Sequence, residues 1–315
     1  MAKTATHIYV LNYNGRALLE ECLPSLIAAA QASSAPCRVS VIDNASTDDS
    51  IDYLEGAWPE VGLIREPNRG LASFNSVLAR TAEPIVLLLN NDVKLEPGAV
   101  DPLVEAIESN DDALFAAPLC WTFDGLEYEG MRTRVTTSYG LVRGCARVPG
   151  HWDRIHLPDL TASAGPVLAV HRERFLALGG YDPVYFPGRI EDLDLGFRGW
   201  MAGLRGYYVP ASVAYHKGFG AFEPAFGKRG CDRLAARNTL IFAWKNLSGR
   251  RLVGHLAWLP FRVVHSLLMG RSGFVSAALD AVGMLRRVLA IRRDQHVGRG
   301  DWVVRQEAFF ARFRY

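Results

Sequence analysis

Three places in the chain carry residues whose type and spacing suit chemistry on a polar substrate. Glu191, Asp192 and Asp194 put three carboxylates into four residues at the start of a helical segment, Ile190–Ala202. Acidic residues suit a helix N-terminus, where they meet the positive end of the helix dipole. That accounts for one or two of them. It accounts less well for three behind the aromatic and glycine-rich Tyr185-Phe186-Pro187-Gly188. Clustered carboxylates raise one another's pKa, which suits a general base. Asp92 closes an unbroken apolar run and follows two amides, Asn90 and Asn91. It is either a turn residue or a carboxylate ligand for Mg²⁺ or Mn²⁺ that also touches a diphosphate. His216 ends the stretch Gly206–His216 beside Lys217-Gly218. It is either structural or an imidazole that joins one carboxylate and phosphate oxygens on Mn²⁺.

The elements that must position these residues alternate. His7–Leu11, Arg38–Ile42, Val61–Arg65 and Pro84–Leu89 read as strands. Leu18–Ala32, about Asp48–Glu55, and Gly70–Arg80 read as helices between them. We expect Pro24 to disturb the first helix and Ser46 or Thr47 to cap the second. Pro84–Leu89 is apolar throughout, as a strand buried on both faces must be. Such alternation predicts an α/β fold, with a mostly parallel central sheet flanked by helices, Rossmann-like. Ligands bind beyond the carboxyl ends of such strands. Asn12–Asn14, Asp43-Asn44 and Asn90–Asp92 fall there. Residues 119–160, rich in Gly, Arg, Thr and aromatics, predict strands and loops that form a hairpin or a mobile cover. His171–Leu178, and the stretches from Asp232 to Asn246 and from Leu252 onward, read as helical.

Several chemistries are excluded by what is missing. There is no GxGxxG after the first strand, no Walker A loop and no GxSxG elbow. The five cysteines form no CxxC pair, which predicts free thiols in a reducing cytosol and no thiolate zinc site. The N-terminus has only a short apolar run and does not read as a signal peptide. Leu252–Gly270 contains His255, Pro260, Arg262 and His265 and does not read as a spanning helix.

The motifs VLNYNG (Val10–Gly15), VIDNASTDDS (Val41–Ser50), NRGLASFN (Asn68–Asn75), LLLNNDV (Leu87–Val93), GGYDPVYF (Gly179–Phe186), EDLDLGFR (Glu191–Arg198) and VPASVAYH (Val209–His216) occur in this order. Together they resemble the family 2 glycosyltransferases, closest in flavour to bacterial rhamnosyltransferase-like members that build cell-surface polysaccharides. The resemblance covers about residues 7–246. It implies the type A glycosyltransferase fold and a nucleotide-diphospho-sugar donor, a dTDP- or UDP-sugar. It also implies transfer with inversion to a hydroxyl of a glycan or glycolipid acceptor. By this resemblance Asn12, Tyr13, Asn14, Asp43 and Arg69 line the nucleotide pocket, and Arg237 faces the leaving diphosphate. Asn91 belongs to the segment that stands where the family has its DXD motif. Asp92 holds a divalent metal, Mg²⁺ or Mn²⁺, and His216 completes its protein ligands. Asp192 is the catalytic base, and Glu191 and Asp194 orient the acceptor or support that base. Three departures stand out. Asn90 replaces the first Asp of DXD, which removes one anionic ligand. Leu11 sits where many members have Ser or Thr, and Pro166 interrupts a segment that usually reads Gly-Ala.

Charge divides the chain. Residues 1–227 carry 18 basic and 28 acidic side chains, a net −10, whereas residues 228–315 carry 17 and 5, a net +12. We therefore expect a catalytic domain over 1–246 and a basic helical extension over 247–315. Trp258, Phe261 and Phe274, with Arg262, Arg271, Arg286, Arg287, Arg292 and Arg293, suit in-plane contact with an anionic membrane. The other reading is helices packed on the catalytic domain or on a second subunit. Nucleic acid is not expected, because no binding motif accompanies the charge. This places the chain in the cytoplasm, peripheral on the inner face of the cell membrane. Two other functions fit less well. A nucleotidyltransferase would need a glycine-rich basic loop after the first strand. A non-catalytic sugar-nucleotide binder or membrane scaffold would not need Asp92, Asp192 and His216 together.

Overall fold

The computed structural model describes residues 4–218, 222–270 and 272–315. Arg271 and residues 219–221 lie outside them. The chain begins with β1 (Thr6–Asn12), α1 (Arg16–Ala32), β2 (Cys37–Asp43), α2 (Ser50–Ala57) and β3 (Gly62–Arg65). A short 3₁₀ turn leads into α3 (Ser73–Leu78), then β4 (Ile85–Asn90), β5 (Val93–Leu95), α4 (Val100–Glu108) and β6 (Ala113–Thr122). Next come β7 (Tyr128–Gly130), β8 (Arg134–Ser138), β9 (Leu141–Cys145), β10 (Asp159–Leu160) and β11 (Val167–His171). The last elements are α5 (Arg172–Ala177), α6 (Glu191–Met201), β12 (Arg205–His216), α7 (Phe222–Asn246), α8 (Gly249–Leu268), α9 (Ser272–Gly283), α10 (Leu285–Asp294) and α11 (Trp302–Arg312).

The main sheet runs β10-β12-β6-β11-β4-β1-β2-β3. The strands β4, β1, β2 and β3 are parallel, as are β6 and β12. The two parallel groups are joined by β11, which is antiparallel to both β4 and β6. The sheet is therefore mixed, with its parallel part where the βαβ pattern stands in the sequence. Residues 85–89 of β4 are buried on both faces, as their apolar run requires.

Local details depart from expectation in instructive ways. Pro24 sits inside α1 without ending it. Neither Ser46 nor Thr47 caps α2: the cap position is Asp49, and Ser46 Oγ instead accepts from the backbone N–H of Asn14 at 2.9 Å. Residues 119–160 hold two hairpins among the described residues: β6–β7, at the edge of the main sheet, and β8–β9, detached from it.

Two apolar cores result. The larger sits on the sheet and takes in β1, β4, β6, β11, α1 and α4. The second joins α6 and α7 to the hairpin and to the C-terminal helices. Phe197 and Trp200 of α6 meet Phe309, Phe310 and Phe313 edge-on or tilted, with ring centroids 5.0–6.4 Å apart. Much of the C-terminal helical segment is thus packed on α6 and α7. The packing reading holds for α11, and α8 is treated below.

Candidate active site

Parallel pairing brings the ends of β1, β2 and β4 together: Asn12 lies opposite Asp43, and Leu11 opposite Asn90. Asn12 is the hub of this end. Its Oδ1 accepts from Asn91 Nδ2 at 2.7 Å, and its Nδ2 donates to Ser46 Oγ at 3.3 Å and to Asp43 Oδ1 at 3.4 Å. Asp43 Oδ2 also accepts from the Ser46 N–H. Gly15 is required beside this network, because a Cβ there would fall 2.0 Å from Asn91 Nδ2. Asn12 and Asp43 are buried and tie the loops together. Tyr13, by contrast, is exposed on the cleft. Asn14 holds a left-handed backbone (φ 47°), and its side chain accepts from the Thr47 N–H.

The cleft above these strand ends measures about 1000 Å³. Tyr13, Asn91, Asp92, Glu191, Asp192, His216 and Arg237 all line it. Arg69 is exposed beside a small neighbouring cavity that also touches Glu191.

Antiparallel pairing of β5 with β12 sets Val93 opposite His216, and so brings His216 to Asp92. His216 Nε2 lies 3.4 Å from Asp92 Oδ2, and Nδ1 lies 3.2 Å from Glu129 Oε1. Burial, the largest influence, works to lower the His216 pKa. The hydrogen bonds to Asp92 and Glu129 outweigh it, and the pKa is raised to about 9. Glu129 was not anticipated. It is brought in by β7, which pairs with β6 next to β12.

Among the described residues, no group of three or more His, Cys, Asp or Glu side chains could hold a metal ion alone. Asp92 and His216 supply one carboxylate and one imidazole at the cleft. These are donors that Mg²⁺ or Mn²⁺ would accept, the imidazole once it has released its proton.

The carboxylates of α6 face different ways. Asp192 is on the cleft, where Oδ2 accepts from Ser163 Oγ at 2.8 Å and Oδ1 from the Leu193 N–H at 2.9 Å. Glu191 is buried at the cleft wall. Burial first, then the charge of Asp192, raise its pKa to about 8, so it holds a proton at neutral pH. Its Oε2 accepts no hydrogen bond among the described residues. Asp194 is not in the cleft. It accepts from Lys245 Nζ at 2.8 Å, Arg198 Nε at 2.7 Å, Tyr185 Oη at 2.9 Å and Asn246 Nδ2 at 2.7 Å. Despite its burial, Lys245 and Arg198 hold its carboxyl well below the usual range. Of the two roles expected for Asp194, direct contact with an acceptor does not fit this burial, and its bonds to Lys245 and Asn246 anchor α7 to α6. The turn before α6 is strained, with Arg189 and the β-branched Ile190 both left-handed (φ 82° and 75°). Arg237 lines the cleft while its guanidinium donates to the Phe186 carbonyl at 2.6 Å and to Asn238 Oδ1 at 2.9 Å.

A mixed α/β sheet with this cleft beyond its parallel strands is the arrangement of the type A glycosyltransferase fold. More particularly, residues 7–157 match the family described as "Glycosyl transferase family 2", the family its motifs resemble. It is similar to an N-acetylglucosaminyl-diphospho-decaprenol L-rhamnosyltransferase of Mycobacterium tuberculosis, 29% identical over 77% of this chain and 85% of that relative. It is also similar to human polypeptide N-acetylgalactosaminyltransferase 10, 25% identical over 52% of this chain and 29% of that protein. In fold it resembles S. aureus TarS 1-349 in complex with UDP-GlcNAc (TM-score 0.55, 14% identity, 97% of this chain and 89% of that one). It likewise resembles GalNAc-T7 with UDP, GalNAc and Mn²⁺ (TM-score 0.53, 22% identity, 68% of this chain but 44% of that one).

Proposed function

We propose that the chain is an inverting, metal-dependent glycosyltransferase that moves a sugar from a dTDP- or UDP-sugar to a hydroxyl of a lipid-linked glycan. One observation carries the reading. Asp192, fixed at both oxygens, shares a single cleft with the Asp92–His216 pair. The lipid-linked acceptor is supported by the name of the mycobacterial relative.

In this mechanism the acceptor hydroxyl attacks the anomeric carbon from the face opposite the nucleotide. The new C–O bond forms as the bond to the diphosphate breaks, and the hydroxyl proton passes to an oxygen of Asp192. Asp92 and His216 would hold the metal, which would supply positive charge beside the departing diphosphate. Arg237 faces the same charge. Glu191, protonated at neutral pH, donates to the sugar or the acceptor. Asn12, Asn14, Asp43 and Asn91 shape the nucleotide end of the cleft, and Arg69 closes over it. Residues 1–246 make up the catalytic domain, and 247–315 an extension that keeps the enzyme peripheral on the cytoplasmic face of the membrane.

The test is a panel of dTDP- and UDP-sugars incubated with Mn²⁺ and a polyprenyl-diphosphate-linked N-acetylglucosamine, with the product read by NMR. One donor should give a product of inverted anomeric configuration, and chelation should abolish it. Retention of configuration, or turnover of no donor, would refute the reading.

A further inference from the structure

Helix α8 turns apolar chemistry toward water. Val253, Leu256, Phe261, Val264 and Leu267 recur every three to five residues, Leu268 follows the last of them, and all six are 49–79% exposed. From Val253 to Leu268 this stripe runs for about 22 Å at 1.5 Å per residue. The polar side chains His255 and Ser266 are buried on the other side. A helix that borders water has the reverse arrangement. Among the described residues, no helix is long and apolar enough to cross a membrane, so this is a face to lie on.

The stripe is widened by the tip of the β8–β9 hairpin. Tyr139 packs edge-on against Trp258, with centroids 5.3 Å apart, and Trp258 against Phe261 at 6.0 Å. All three rings are exposed. Tyrosine and tryptophan favour the boundary between water and hydrocarbon, since each has an apolar body and a polar tip. Arg262 donates to the Tyr139 carbonyl at 3.4 Å, and Arg143 is exposed on β9. With a net +12 over residues 228–315, this rim favours an anionic lipid surface and repels a second copy of the same face.

The tip is pinned to α8. His255 Nδ1 donates to the Gly140 carbonyl at 2.7 Å, while its Nε2 accepts from Trp244 Nε1 at 2.9 Å. Gly140 is left-handed (φ 76°), and a Cβ there would meet Trp258 Cβ at 2.9 Å. The other end of the same hairpin, Gly144 and Cys145, lines the active-site cleft. Five strand residues at about 3.4 Å each put the two ends roughly 17 Å apart.

We propose that α8 and the hairpin tip seat on an anionic bilayer, and that β8–β9 is the wall along which the head of a membrane-embedded acceptor reaches the cleft. The second clause rests on the transferase reading; the first does not.

The test uses the full chain and vesicles of phosphatidylglycerol and phosphatidylcholine, with and without brominated acyl chains. Brominated lipid should quench the tryptophan fluorescence, and most of that quenching should vanish in Trp258→Phe. Leu256→Glu with Phe261→Glu should lower vesicle partition at least tenfold, as should vesicles of phosphatidylcholine alone. The same double variant should lose at least tenfold in transfer to a vesicle-embedded acceptor while hydrolysing donor at the normal rate. Absence of vesicle binding, or equal binding by the double variant, would overturn the seat. So would a dimer broken by the glutamates without any vesicle binding. Equal loss of donor hydrolysis and transfer would overturn the acceptor path. Vesicle binding by a chain that turns over no donor would refute the transferase reading and leave the seat standing.

Discussion

The first turn of α6 divides two acidic regions. On its inner side Asp194 and Asp182 meet Lys245 and Arg198, two negative charges against two positive, and Lys245 is fully buried. Tyr185 and Asn246 fill the remaining positions around Asp194. On its cleft side Asp192 and Glu191 face Ser163, the Leu193 N–H and open space. A carboxylate surrounded by matched cations has no capacity left for a substrate proton. A carboxylate held by a hydroxyl and one amide keeps lone pairs facing the cleft. The same residue type is therefore a tie in one region and an acceptor open to the cleft in the other, two positions apart.

The largest effect that would break this contrast is expected at Asp192. Asp192→Asn keeps the shape and removes the base, so turnover should fall by about 10²–10⁴. Melting temperature and donor affinity should stay near wild type. Turnover within threefold of wild type would take the base assignment away from Asp192. Asp194→Asn should do the opposite. It leaves Lys245 and Arg198 undercompensated in the interior, and breaking such a cluster costs about 3–5 kcal/mol. Urea unfolding should show that loss, while kcat per folded molecule changes far less than in Asp192→Asn. A stable but inactive Asp194→Asn would show that the two regions are not separate in function.

The first half of the fold was legible because β1, β2 and β4 are each a short apolar run that closes in Asn or Asp, as at Leu11-Asn12, Ile42-Asp43 and Leu89-Asn90. The antiparallel β11 was not legible, since its small apolar residues carry no signal of direction. The cleft residues were named from motifs, but their partners were not. Glu129 reaches His216 only through the register of three strands, and Ser163 reaches Asp192 from a loop. Asp194 could have been separated from Asp192 beforehand. Two positions along a helix differ by about 200°, so the pair must face opposite sides. Lys245, set within the apolar Leu240–Leu247, was the second clue, because a buried lysine needs a carboxylate.

The finest test of the contrast is the proton on Glu191. Asp192, Asp194, Arg189, Arg237 and Tyr181 are the charged or titratable groups that interact with it. Its folded pKa, about 8, lies above the ordinary 4.5. Between those values the folded chain holds a proton that the unfolded chain has released. Stability should therefore fall as pH rises through this window, by up to about 1.4 kcal/mol per pH unit, and level off above pH 8. Glu191→Gln keeps a neutral hydrogen-bond donor at every pH and should remove that slope, which urea titrations at pH 6, 7 and 8 would measure. Catalysis should follow the same proton. Wild-type turnover should decline above pH 8, where a second negative charge appears beside Asp192, and the glutamine variant should hold its rate there. Parallel stability curves for the two proteins would mean that Glu191 is already ionised in the fold, and the cleft would then carry two charged bases rather than one base and one acid.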